Sequence, residues 1–125
     1  MICTNHSGAR IEIADSCGFS GTAIVPDVEI VFGRNVWCGA NTMITDSDSH
    51  PVDAQKRLAG EPGTAIPVRI EDNVWLGMNV VVLRGGTIGR NSVISANSVV
   101  TRSIPANVIA AGHPARVVGE VVTAG

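Results

Sequence analysis

From Ile70 onward every sixth residue is a branched aliphatic: Ile70, Leu76, Val82, Ile88, Ile94 and Val100. Four places after each stands a valine or something smaller, namely Val74, Val80, Gly86, Ser92 and Ser98, and only the last hexad departs, with Ile104. The same beat runs upstream from Phe32, Cys38 and Ile44, and more faintly from Ile13, Phe19 and Val25, followed by a one-residue slip near Asp27. A period of six is not the roughly 3.6 of an amphipathic helix, and Gly and Asn recur inside every candidate segment, where they weaken helices. Simple alternation fails too, beyond three or four residues. What fits is a short strand with an inward aliphatic, then a corner turned by Gly or Asn, then the next strand. Three such sides close one triangular coil, and stacked coils form a parallel β-helix. Twelve hexads make four coils. At about 4.8 Å per coil the prism is on the order of 20 Å tall.

A stack of this kind needs few large side chains, and the chain has few. It is 45% hydrophobic but only 3% aromatic, with no tyrosine. Its 125 residues suit a single domain. The coils are expected over about 11–45 and 68–104, an extruded loop over about 46–67, and a C-terminal tail over 105–125 folding back on the last coil's unpaired edge. Val80, Val81 and Val82 read as a flat outer strip that subunit contact would bury.

Several function classes drop out. The net charge is −2 and the nine basic residues are scattered, so there is neither a basic stripe for a phosphate backbone nor a set of rings for stacking bases. Aliphatic runs such as 80–83 are far too short to cross a bilayer, and no signal pattern opens the chain. Cys3, Cys17 and Cys38 lack metal-ligand spacing and leave one unpaired, which points to free thiols in a reducing cytoplasm.

The rhythm breaks after Ile44, where DSDSHPVD (46–53) crowds three aspartates and a histidine around one proline. A solenoid can expel a loop at a corner without disturbing its stack, and loops on rigid scaffolds are where function concentrates. His50 is the candidate general base. An alcohol is a poor nucleophile at neutral pH, and imidazole, ordinarily titrating near ~6.5, is suited to take its proton. Asp46, Asp48 or a backbone carbonyl would fix the ring's tautomer.

The words IGRNSVISANSVV, NTMITDSDSHPVD and PVRIEDNVWLGMNVVVLRGGTIG resemble the left-handed β-helix of the hexapeptide-repeat acyltransferases. Within that group they resemble the maltose, galactoside and capsular or lipopolysaccharide sugar O-acetyltransferases. His50-Pro51, Val74-Trp75-Leu76-Gly77 and Ala111-Gly112-His113-Pro114-Ala115 match that pattern in order. The resemblance implies an all-β, left-handed coil and direct acetyl transfer from acetyl-CoA, with His50 as base. It implies a homotrimer whose sites lie between adjacent prisms. Asp48 and Glu61 are the candidate contacts for a sugar acceptor, the competing reading of Glu61 being a solvated loop carboxylate. Trp75, Gly77 and Met78 would line the thioester end of the cofactor. Ala96 and Thr101 would meet its arm, and Arg102 and Arg116 its phosphates, against the plainer reading of two solvated arginines. His6 and His113 are expected to be exposed and idle.

Three alternatives accompany this reading. One is N-acetylation of an amino sugar, which the same base and groove would serve. Another is a β-helical scaffold without chemistry. The third, a metal-dependent hydratase resembling the γ-class carbonic anhydrases, requires a cluster of histidine ligands that His6, His50 and His113 do not form by spacing, so no metal is expected. Only about ten residues precede Ile11, fewer than the resemblance leads one to expect, which leaves the acceptor side the least defined.

Overall fold

The computed structural model describes residues 1–2 and 8–122. His6 and Cys3 lie outside the described residues. The chain winds through a three-sided parallel solenoid. Its first turn is β1 (Arg10–Ile13), β2 (Gly18–Phe19) and β3 (Ala23–Val25), and its second β4 (Glu29–Phe32), β5 (Trp37–Cys38) and β6 (Met43–Thr45). A loop bearing the short helix α1 (Ala54–Leu58) follows. The third turn is β7 (Val68–Ile70), β8 (Trp75–Leu76) and β9 (Val81–Val82), and the fourth β10 (Thr87–Ile88), β11 (Val93–Ile94) and β12 (Val99–Val100). A fifth, partial turn comprises β13 (Ser103–Ile104) and β14 (Val108–Gly112), after which β15 (Ala115–Glu120) turns back.

Equivalent strands of successive turns pair to make the walls. One wall is β1-β4-β7-β10-β13, the second β2-β5-β8-β11-β14-β15, the third β3-β6-β9-β12. Pairing is parallel throughout except β14 with β15. The register places like on like. Ile13, Phe32, Ile70, Ile88 and Ile104 form one inward column. Phe19, Cys38, Leu76, Ile94 and Ala110 form the second. Ile24, Ile44, Val82 and Val100 form the third. From the second turn upward these columns are essentially sealed from solvent. Each buried aliphatic contributes roughly 1.5–3 kcal/mol relative to exposure. Phe19 and Phe32 meet edge to face, ring centroids 5.3 Å apart, and fill the wide end of the prism.

Two corner devices explain the recurring Gly and Asn. Asn35, Asn73, Asn91 and Asn107 at one corner, and Asn41, Asn79 and Asn97 at the next, all have positive φ between 55° and 65°. Their side-chain amides chain along the axis, Asn73 Nδ2 donating to Asn91 Oδ1 at 3.1 Å and Asn79 Nδ2 to Asn97 Oδ1 at 3.0 Å. The glycine after the inward aliphatic has a different reason to be there. A Cβ on Gly77 would stand 2.8 Å from the Ala96 backbone nitrogen of the next turn. Asn thus takes the left-handed conformation, and Gly allows the close approach of turns.

The structure corrects the sequence reading in four places. There are about five turns rather than four, because Ile104 and Val108–Gly112 keep stacking on Ile88 and β11. Only β15 folds back, and it adds an antiparallel edge strand to the second wall. In the first turn the inward residue is Ile24, buried, rather than Val25, half-buried. The phase slips before Ile24, and the chain makes up the difference in a bulge between Val25 and Glu29, where Pro26 is buried and Val28 exposed. Finally, Val80 and Val82 point inward and are fully buried, so only Val81 belongs to the exterior. That wall's outward column is Ala23, Met43, Val81 and Val99, apolar at every level.

Candidate active site

The loop starts on an anchor. Asp46 has no exposed surface, and its carboxylate accepts the backbone N–H groups of Asp27 (2.6 Å), Val28 (2.8 Å) and Glu29 (2.7 Å), closing the bulge of the first turn. It is therefore committed to the scaffold and is not the group that orients His50. The stem then zips shut. Ile66 N–H donates to Asp46 O at 2.8 Å, Ser47 bridges Ala65, and Asp48 N–H donates to Thr64 O at 2.9 Å. Ser49, at φ 64°, reverses the chain so that His50 N–H donates to Asp48 O at 2.7 Å. Beyond the histidine, Asp53 caps α1 through Gln55 N–H (2.8 Å), and Arg57 Nη1 donates to the carbonyls of Pro51 (3.2 Å) and Val52 (3.1 Å). Side-chain-to-backbone bonds of this kind give shape to a segment that buries no helical residue.

His50 is exposed and borders a cavity of about 520 Å³ that it shares with Glu61, Asp27, Ser49 and Arg57. The histidine and Glu61 predicted from sequence thus face one recess. Arg57 joins them there, and no spacing in the sequence singled it out. Asp48 is turned elsewhere: its Oδ2 accepts from Arg84 Nε at 2.7 Å.

A second cavity, about 510 Å³, is lined by Trp75, Gly77, Met78, Ala96 and the neighbouring Gly39, Val93, Ile94 and Ser95. Four of the residues expected to meet the cofactor are therefore together. Trp75 is more than half exposed and stands in register with the equally outward Trp37 of the turn below. Those two indoles flank a third recess, about 420 Å³, that also takes in Gly18, Ser20 and Gly39. Trp37 was not singled out by the sequence pattern, although it occupies the same slot in its hexad as Trp75.

The remaining candidates lie elsewhere in the chain. Thr101 borders a small recess of about 130 Å³ with Asp48, Leu83 and Arg84. Arg102 follows it on the same corner, exposed, and Arg116 is exposed on β15 opposite Ala111. His113 is exposed at the turn between β14 and β15. The topology explains the separation. His50, Thr101 and Arg102 leave the corner that follows the third wall, whereas Trp75, Met78 and Ala96 belong to the corner that precedes it. One chain therefore carries the candidate residues in two separate groups, on the two corners that border the apolar third wall.

The described thiols offer no nucleophile. Cys38 sits in the core, and burial above all, with Cys17 nearby, pushes its thiol up to about 12 despite a bond with Thr42. Cys17 donates to Gly33 O at 3.1 Å. Among the described residues no group of three or more His, Cys, Asp or Glu side chains is arranged to hold a metal ion. No helix among them is long and apolar enough to cross a membrane.

Comparison with known proteins agrees with the walls and corners just described. Residues 67–102 match the family described as "Hexapeptide repeat of succinyl-transferase". A maltose O-acetyltransferase from Clostridium difficile 630 superposes with a TM-score of 0.73 at 32% identity, over 96% of this chain and 71% of that one. A hexapeptide-repeat acetyltransferase of Vibrio cholerae, solved with acetyl coenzyme A, superposes with a TM-score of 0.76 at 32% identity, over 90% and 64%. The galactoside O-acetyltransferase of Escherichia coli K12 is 45% identical over 98 residues, 78% of this chain and 47% of that protein. An N-acetyltransferase of Staphylococcus aureus, acting on 2,3,4,5-tetrahydropyridine-2,6-dicarboxylate, is 38% identical over 88 residues, 69% of this chain and 31% of that protein. The chain belongs to the hexapeptide-repeat acetyltransferases, whose coil is the left-handed parallel β-helix. It spans about half the length of the curated relatives it matches.

Proposed function

We propose that the protein is an acetyl-CoA-dependent O-acetyltransferase acting on a sugar hydroxyl, working as a homotrimer in the cytoplasm with His50 as general base. The observation that carries this reading is that the His50 recess and the Trp75 cavity lie at the two corners bordering the third wall. If three copies turn that wall toward a common threefold axis, the His50 corner of each meets the Trp75 corner of the next. The apolar column of Ala23, Met43, Val81 and Val99 then leaves solvent. The same arrangement gathers the residues that one chain keeps apart, with Thr101 and Arg102 of one copy facing Trp75, Gly77, Met78 and Ala96 of its neighbour.

Acetyl-CoA supplies the activated acetyl group when bound. Trp75, Gly77 and Met78 line the reactive end, and Ala96 and Thr101 meet the arm. Arg102 and Arg116 hold the phosphates through charge-assisted hydrogen bonds. Glu61, which shares the recess with His50, flanks the acceptor, while Asp48 is held by Arg84 and does not reach it. His50 accepts the hydroxyl proton at a ring nitrogen as the acceptor oxygen bonds to the acetyl carbon. The carbon–sulfur bond breaks, and His50 returns the proton to the departing thiolate.

The test is thiol release from acetyl-CoA with methyl β-D-galactoside and a panel of hydroxyl and amino sugars. Wild-type turnover falling 10²–10⁴-fold in His50→Ala, with the assembly intact, is the expected result. Undiminished turnover in the variant refutes the base. The same assay addresses the second reading, which the N-acetyltransferase relative favours. An acetylated product that survives mild alkali is an amide rather than an ester.

A further inference from the structure

We infer that Arg84 is a positioning residue for His50, acting through Asp48; the inference rests on His50 being the base. Arg84 sits at the corner after β9, one turn beyond the loop's point of departure, and is separated from Asp48 by 36 residues of sequence. Its Nε donates to Asp48 Oδ2 at 2.7 Å, and both side chains are little more than a third exposed. The next residue holds the other side of the stem, Gly85 N–H donating to Ile66 O at 3.0 Å. One corner of the third turn thus grips both the outgoing and the returning limb of the loop.

Asp48 passes this grip on. Its N–H is bound to Thr64 O and its carbonyl accepts the His50 N–H, so the two peptide groups that flank Asp48 are tied, one to the returning limb and one to the histidine. The histidine is also backed from behind. A Cβ on Gly63 would stand 2.6 Å from His50 N and 2.8 Å from His50 O, so the returning limb lies directly on the His50 backbone. In the recess the imidazole must reach a hydroxyl brought by another molecule. The placement of its backbone therefore decides whether it meets that hydroxyl, and small displacements from a productive geometry are costly in rate. Arg84 lines neither the His50 recess nor the Trp75 cavity; it borders the small recess of Thr101, so KM for acetyl-CoA is the readout that separates support of the loop from contact with the cofactor's arm.

Three variants in the full assembly test this: Arg84→Ala, Arg84→Lys and His50→Ala combined with Arg84→Ala. With methyl β-D-galactoside as acceptor, Arg84→Ala is expected to lower kcat about tenfold or more while KM for acetyl-CoA stays within about twofold. Arg84→Lys, which keeps a cation within reach of Asp48, is expected to recover most of the loss. In the His50→Ala background the second substitution is expected to cost nothing further, because its route to the reaction has been removed. Backbone hydrogen exchange across 46–66 supplies a readout free of catalysis, and should quicken in Arg84→Ala alone. Unchanged exchange and unchanged kcat in Arg84→Ala overturn the strap. Full activity in His50→Ala overturns the inference from the other side, by removing the base that the strap is said to position.

Discussion

Asp46 and Glu29 are joined across about one turn of the solenoid by a 2.7 Å bond from the Glu29 N–H to a carboxylate with no exposed surface. The same carboxylate also takes the N–H groups of Asp27 and Val28, so one side chain closes the bulge that the first turn's phase slip creates. Asp46→Ala removes the acceptor of three backbone donors at once. Each donor left without a partner costs roughly 1–3 kcal/mol, so a loss on the order of 3 kcal/mol or more is expected. It should be read as a lower urea midpoint at fixed protein concentration. A midpoint within error of the wild type would mean that the bulge closes without Asp46.

Cys38 gives the fold a pH dependence with a definite sign. The thiol titrates near 9.0 in its ordinary state and is held up to about 12 when folded. Above pH 9 the unfolded chain releases this proton while the folded chain keeps it, so the folded state binds more protons and loses stability as pH rises. The contribution is whole below about pH 9 and declines by up to ~1.4 kcal/mol per unit between there and about 12. The chain has no tyrosine and a single lysine, Lys56, so few other groups compete in this window. Cys38→Ala should flatten the decline in urea stability between pH 9 and 10.5. A decline of the same slope in the variant would assign the effect elsewhere.

Val81 lies at the centre of the outward column between the corner of His50 and the corner of Trp75. Val81→Asp places a charge in the proposed contact without touching the inward columns. The expected outcome is a well-folded monomer in analytical ultracentrifugation, with circular dichroism unchanged and acetyl transfer lost. Transfer by a monomeric variant at the wild-type rate would show that one chain suffices and would end the shared-site reading.

Much of this architecture was legible in the chain. The hexads from Ile70 to Val100 became inward columns because parallel in-register stacking sets each residue on its equivalent one turn away. Gly and Asn marked the corners, although only the coordinates of Gly77 and Asn79 show that one serves close approach and the other positive φ. Where the reading went astray, an insertion or a distant partner was responsible. Ile24 replaced Val25 because the slip occurs a strand earlier than the local pattern suggested. Asp46 sat among the candidate partners of His50 by proximity in sequence, yet its carboxylate belongs to a turn nearly twenty residues back.

The sequence by itself determined the solenoid, since a six-residue period of inward aliphatics admits few other ways to bury them, and it placed His50 on the one segment expelled from the stack. The tertiary structure decided which corner each candidate occupies. Hexads equivalent in the pattern point in three different directions, so Trp75, Met78 and Ala96 gather at one edge while His50, Thr101 and Arg102 stand at another. It also decided the grip of Arg84 on Asp48, because a side-chain pair spanning 36 residues follows from the stacking of turns and leaves no periodic mark in the chain.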